Sequence, residues 1–194
     1  MARNLTSDYI EWDTCMNLIH RLFKDGNYRM SLLIATGAFF GLRISDLLSL
    51  KWSMIYGKES FEIWEKKTGK HREIKINKSI QSHIQDCYAA MKISDVNQHC
   101  FLNRYGGVIT TQMVNRELKT IKVKYQLRSV NHLSTHSLRK TFGRRVVEMA
   151  PAGQYEFFLI RLSEIYGHVS VAVTRKYLGL RKEELCEVYD NLTF

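Results

Sequence analysis

The chain has 194 residues, 45% of them hydrophobic, and carries a formal net charge of +10 from 29 Lys and Arg against 19 Asp and Glu. That length buries one substantial core, and no charge-rich or Gly/Ser-rich stretch divides it, so one domain over 1–194 is expected. The cationic excess points to a polyanionic partner, against the plainer alternative of a basic protein that is merely soluble; a membrane is disfavoured because the longest apolar run, Met30 to Leu42, is too short to span a bilayer and is broken by Ser31, Thr36 and Gly37.

Asp8, with Glu11 three residues on, is placed to cap a first helix in which Trp12, Cys15, Leu18, Ile19, Leu22 and Phe23 recur at helical spacing and Gly26 marks the end. A second helix, Tyr28 to Phe40, is apolar on nearly every face and should be central; Gly41 permits a sharp turn before Ile44, Leu47 and Leu48 begin another. Residues 54–76 change to β-branched and aromatic residues (Ile55, Tyr56, Phe61, Ile63, Ile74, Ile76) punctuated at Gly57-Lys58 and Thr68-Gly69-Lys70. That pattern predicts a small antiparallel three-stranded sheet.

Helical periodicity returns from Lys78 to Met91, and Val96 to Gly107 reads as an irregular connection. Thr110 then caps a helix buried through Val114, Leu118, Ile121 and Tyr125. From Thr135, Leu138, Phe142 and Val146 form an apolar stripe, with His136, Arg139 and Gly143 on the opposite side, predicting one packed face and one face open for chemistry. Helices over Tyr155 to Tyr166, Ser170 to Tyr177 and Lys182 to Tyr189 complete a mainly α chain with a small sheet. Cys15, Cys87, Cys100 and Cys186 show no metal-ligand spacing and read as reduced core thiols, so no metal and no other cofactor is expected. The N-terminus lacks the apolar segment and cleavage site of a secretory signal, and the cytoplasm is the expected location.

Single features here are weak, but their order is not. Gly41-Leu42-Arg43-Ile44-Ser45-Asp46-Leu47-Leu48-Ser49-Leu50-Lys51-Trp52 is followed by Lys67-Thr68-Gly69-Lys70, His136-Ser137-Leu138-Arg139, Gly167-His168 and Tyr177, with His168 nine residues before Tyr177. This series resembles the tyrosine recombinase (phage integrase) family, whose first arginine box, G-L-R-x-x-[ED]-L-x-x-L-x-W, is matched at every specified position.

The resemblance implies the family's catalytic-domain fold and metal-independent cleavage and rejoining of double-stranded DNA through a 3′-phosphotyrosyl bond on Tyr177. Arg43 and Arg139 would clamp the phosphate with permanently charged, bidentate donors. Asp46 would support the site, its plainer reading being a carboxylate near a helix start. Lys67 would protonate the departing 5′-oxygen, Lys66 and Lys70 being alternatives in the same turn. His136 would serve acid/base chemistry and His168 would donate a hydrogen bond to the phosphate. Tyr166 and Tyr189 are the competing tyrosines nearby, but neither follows a Gly-His by nine residues.

The family also implies a homo-oligomer, a tetramer on DNA, assembled through a C-terminal helix carrying Leu185, Val188, Tyr189 and Leu192, accessory DNA-bending proteins as further partners, and a bacterial, phage or mobile-element origin. Two departures stand out. The interval from Arg139 to His168 is 29 residues, longer than usual, with an aromatic-rich insertion at Pro151 to Phe158 that is either a partner surface or core. The N-terminal core DNA-binding domain that precedes the first box in the family is expected to be absent. A type IB topoisomerase shares the chemistry, and a noncatalytic DNA-binding protein of the same fold is the rival outside it. A metal nuclease would need a carboxylate cluster, for which no convincing spacing occurs.

Overall fold

The computed structural model describes residues 7–180 together with 186, 189 and 190. The chain divides into two compact units, residues 1–142 and 143–194.

The first unit is organised around α2 (Tyr28–Phe40), whose Met30, Leu32, Leu33, Ile34, Ala35, Ala38 and Phe40 are all buried, as its predominantly apolar sequence requires. Its polar residues are satisfied locally: Ser31 Oγ donates to the Ile19 carbonyl at 2.8 Å and Thr36 Oγ1 to the Leu32 carbonyl at 2.7 Å. Against it lie α1 (Trp12–Lys24), through Cys15, Leu18, Ile19 and Leu22, and α5 (Lys78–Ala90), through Ile80, Ile84 and Cys87. Two helices of a single turn, α3 (Ile44–Leu47) and α4 (Trp52–Ile55), follow α2. In α6 (Thr111–Lys124), Val114, Leu118 and Ile121 are buried and the Thr110 hydroxyl accepts from the Met113 N–H.

Among the described residues the sheet has two strands, β1 (Ser60–Trp64) and β2 (His71–Lys75), paired antiparallel with Ile63 opposite Arg72. This corrects the expected third strand. Ile55 and Tyr56 belong to α4 and its C-terminus, because the surrounding packing overrides their strand preference. Trp52 is fully buried, the Trp52 and Ser53 N–H groups donate to the Gln98 and Val96 carbonyls, and the Tyr56 ring stacks on Tyr88 with centroids 3.9 Å apart.

A second correction concerns Asp8. Helix α1 starts at Trp12, and the Asp8 carboxylate accepts from the backbone N–H groups of Asn131 (2.7 Å) and His132 (3.0 Å), tying the entering chain to a distant loop. The same segment is held further on, where Thr141 Oγ1 accepts from the Ile10 N–H and donates to the Ile10 carbonyl.

Helix α7 (Thr135–Glu148) begins in the first unit and ends in the second. Its first half is sunk in the protein: Ser137, Leu138, Arg139, Lys140 and Thr141 are all buried. The expected division into a packed stripe and an open face therefore does not hold for Arg139, which is 4% exposed. The close approach to α2 needs small residues. A Cβ on Gly37 would lie 2.9 Å from Leu138 Cβ, and one on Gly41, which has φ +58°, would lie 2.4 Å from the Phe142 ring.

In the second unit, α8 (Tyr155–Tyr166) buries Leu159, Leu162 and Tyr166, and α9 (Val171–Leu178) buries Thr174 and Leu178. The unit's part of α7 packs bare backbone at Gly143, where a Cβ would fall 2.5 Å from the Tyr166 hydroxyl and 2.7 Å from Leu178. The Pro151 to Phe158 insertion is not core: it leads into α8, where Phe157 and Ile160 are 47% and 46% exposed and Arg161 covers the Phe157 ring. Cys15, Cys87 and Cys100 are buried, burial raising Cys15 and Cys87 to about 12, whereas Cys186 is exposed and corrects the reading of four core thiols. Of the expected C-terminal helix, Leu185, Val188 and Leu192 lie outside the described residues.

Gly41→Ala combines a left-handed backbone with an overfilled contact, and is expected to lower unfolding stability by about 2–4 kcal/mol in urea titration. Gly57→Ala, where a side chain meets nothing within 4 Å, carries only the backbone strain and is expected to cost about 1–2 kcal/mol.

Candidate active site

In the first unit, Arg43 stands at the N-cap of α3, in extended backbone just after the left-handed turn at Gly41. Its guanidinium meets the Glu65 carboxylate, Nη1 to Oε2 at 2.5 Å. The Glu65 side chain is 1% exposed and also takes Arg72 Nη1 on Oε1 at 2.8 Å and the Thr68 hydroxyl on Oε2 at 2.8 Å. Burial pushes the Glu65 carboxyl up, but the hydrogen bonds from Arg72 and Thr68 and the charges of Arg43 and Arg72 outweigh it, so its pKa lies below the ordinary 4.5. Its stabilising contribution is present above that ordinary value and is lost as pH falls through the lower folded one.

Asp46, fully buried, accepts from the Lys66 N–H on Oδ1 at 3.0 Å. The acidic residue of the first box thus acts on the backbone of the lysine turn. Lys67 is exposed at the tip of that turn, which closes with the Glu65 N–H donating to the Lys70 carbonyl and the Gly69 N–H donating to the Glu65 carbonyl. Lys66 and Lys70 are exposed beside it.

Arg139 donates from Nη1 to the Gly41 carbonyl at 2.5 Å. The second arginine box is therefore fastened to the first, two residues from Arg43. One helical turn before Arg139, His136 is exposed in the first turn of α7, its N–H bonded to Ser134 Oγ. Partial loss of solvent, then the positive charges of Arg139, Lys140 and Lys67, hold its pKa below the ordinary 6.5. That ring is neutral at pH 7 and able to accept a proton.

In the second unit, Gly167 ends α8 in the left-handed conformation (φ +63°), which a glycine adopts without strain, and the following His168 N–H donates to the Ser163 carbonyl at 3.0 Å. Ser170 caps α9, and from that helix the buried Thr174 hydroxyl sits 2.9 Å from His168 Nδ1. Tyr177 lies one turn further on, half-buried, its ring 5.5 Å from His168 and 5.6 Å from Tyr166, while Tyr166 and His168 are 5.3 Å apart. All three pairs meet edge to face, the favoured aromatic arrangement. Of the competing tyrosines, Tyr166 is fully buried and Tyr189 is 72% exposed.

Sequence reasoning missed Glu65, Arg72 and Thr174. For the first two a signal existed: alternation along β1 and β2 puts Glu65 in series with Phe61 and Ile63, and Arg72 in series with Ile74, so charged side chains occupy inward positions. Nothing local marks Thr174. Among the described residues no group of three His, Cys, Asp or Glu side chains is placed to hold a metal ion, and no helix is long and apolar enough to cross a membrane.

A mainly helical chain with a lysine-bearing antiparallel hairpin, in which Arg139 is fastened to the Gly41 carbonyl two residues before Arg43, has the fold of a tyrosine recombinase catalytic domain. The chain belongs to the phage integrase family, whose model matches residues 12–184. It is 27% identical over 170 residues to the probable integrase/recombinase YoeC of Bacillus subtilis (strain 168), covering 84% of each chain. It is 29% identical over 165 residues to the tyrosine recombinase XerC of Alcanivorax borkumensis, covering 83% of this chain and 50% of that one. It thus spans about half the length of that XerC relative. Among solved structures, XerA recombinase superposes with a TM-score of 0.70 at 21% identity, over 98% of this chain and 67% of that one, which shows the shared fold. A lambda integrase dimer bound to a core site gives 0.64 at 15% identity, over 91% and 49%.

By NMR titration the His136 ring is expected to protonate below pH 6.5. Lys140→Met, which removes one of the opposing charges, should raise that midpoint; an unchanged midpoint contradicts the electrostatic account.

Proposed function

We propose that the chain cuts and rejoins double-stranded DNA at specific sites, without a metal, through a covalent bond to Tyr177. The observation that carries this reading is the Arg139 guanidinium on the Gly41 carbonyl, since it brings the second arginine to the backbone two residues from Arg43, in a segment whose Asp46 also holds the lysine turn. A protein that only binds DNA has no need of that convergence, because phosphate contacts spread over a surface serve binding as well. The names of the relatives favour recombination over the topoisomerase reading.

In the reaction, the Tyr177 oxygen bonds to the scissile phosphorus as the bond to the 5′-oxygen breaks; the phenol loses its proton and the 5′-oxygen gains one. Arg43 and Arg139 supply charge to the non-bridging oxygens, where negative charge accumulates in the transition state. Lys67 protonates the leaving oxygen, neutral His136 takes part in proton transfer, and His168, oriented by Thr174, donates to the phosphate. Reversal with a 5′-hydroxyl from another strand reseals DNA and frees Tyr177. Storage of the bond energy in the phosphotyrosyl link removes any need for ATP.

The partners are double-stranded DNA and further copies of the chain, a tetramer joined through the C-terminal helix, with accessory DNA-bending proteins and a cytoplasmic setting in a bacterium, phage or mobile element. Residues 1–194 act as one catalytic domain.

A nicked suicide substrate is expected to trap a protein–DNA adduct with the parent and none with Tyr177→Phe; an adduct surviving in the variant refutes the assignment. Arg43→Lys should slow adduct formation by about 10² to 10³. Truncation after Leu180 should abolish assembly of several protomers on DNA in light scattering, and unchanged assembly would sink that part of the proposal.

A further inference from the structure

The inward face of the hairpin runs Phe61, Ile63, Glu65 on one strand and Ile76, Ile74, Arg72 on the other, so its apolar lining gives way to a buried ion pair at the turn. An apolar pair of similar volume closes such a sheet without the desolvation cost of two charges. One arginine neutralises one carboxylate, yet Glu65 holds two, and the second is Arg43, 22 residues earlier in the chain. The same residue closes the lysine turn with both its backbone groups, through Lys70 and Gly69. Thr68, inside the turn, adds its hydroxyl to the oxygen that meets Arg43. Asp46 holds the next peptide N–H, that of Lys66.

We infer that Glu65 is a positioning residue for strand cleavage: its carboxylate orients Arg43 and its backbone shapes the Lys67 turn, so the phosphate clamp and the leaving-group acid share one rigid frame. The inference rests on the roles given to Arg43 and Lys67 above. Glu65 itself, 1% exposed, touches no DNA. It acts through the two groups that do, and small errors in such positioning are expensive in rate.

The test is single-turnover adduct formation by the full chain on the suicide substrate, with DNA affinity measured alongside. Glu65→Gln keeps the shape and removes the charge; it should slow cleavage about 10- to 100-fold while DNA affinity changes by less than about 3-fold. Arg72→Met removes the other arginine and leaves Arg43 paired with Glu65, so its cleavage rate should stay within about 3-fold of the parent. A substrate with a methylphosphonate at the scissile position lacks the charge that Arg43 neutralises, and one with a 5′-bridging sulfur has a leaving group that needs no proton. At least one of them should narrow the gap between Glu65→Gln and the parent.

Parental cleavage by Glu65→Gln overturns the inference, as do equal losses in Glu65→Gln and Arg72→Met that neither substrate narrows. Should Glu65→Gln fail to fold, Thr68→Val takes its place, with an expected loss of about 3- to 10-fold, and a parental rate there overturns the inference equally. A parent that forms no adduct removes the function and this inference together. A parent that forms one beside an equally active Glu65→Gln removes this inference alone.

Discussion

The close passage of α7 over the end of α2 is the constraint on which the first unit depends. Two glycines, Gly37 and Gly41, make room for Leu138 and Phe142, and the Arg139 guanidinium then reaches the Gly41 carbonyl. A guanidinium at 4% exposure loses most of its hydration, and a charge-assisted bond to a backbone oxygen offsets part of that loss while fixing direction. The energetic consequence is rigidity. An arginine so held is fixed in direction, so in the proposed reaction little reorganisation is needed as charge develops on the phosphate.

The second unit uses the same device on a smaller scale. Gly143 lets the Tyr166 hydroxyl approach the α7 backbone, and Gly167 turns the chain so that His168 leaves the end of α8 toward α9. Thr174 then fixes one ring nitrogen of His168, and Tyr166 and Tyr177 pack edge to face with that ring and with each other. The spacing of nine residues between His168 and Tyr177 has a physical basis here: one capped turn and two turns of α9 set both rings on the same side.

The electrostatics are uneven by construction. The surplus of basic residues is interrupted at Glu65 and Asp46, two buried carboxylates, of which one faces arginine side chains and the other a backbone N–H. Such groups lower the positive potential that DNA would meet, and a protein selected only for affinity would lose nothing without them. Their presence is a matter of geometry. Lys67 and His136 are exposed, whereas the residues that hold their surroundings in place are not.

Local chemistry sufficed wherever a segment's own pattern was the deciding force. The α2 span is legible because thirteen nearly all-apolar residues leave a helix little alternative to central burial, and the Thr110 and Ser170 caps are legible because a hydroxyl before a helix satisfies a donor in its first turn. The motif spacing likewise singles out Arg43, Lys67, His136, Arg139, His168 and Tyr177 as the expected site residues. What the sequence could not decide was which distant group answers each side chain. Asp8 reads as a cap until the loop at Asn131 and His132 competes for it, and Ile55 and Tyr56 read as strand until Ile55 is buried in the single turn of α4 and the Tyr56 ring stacks on Tyr88. Strand alternation marks Glu65 and Arg72 as inward-facing, but their pairing, and Thr174 altogether, became visible only in three dimensions, because a buried polar partner is chosen by proximity after folding and not by spacing along the chain.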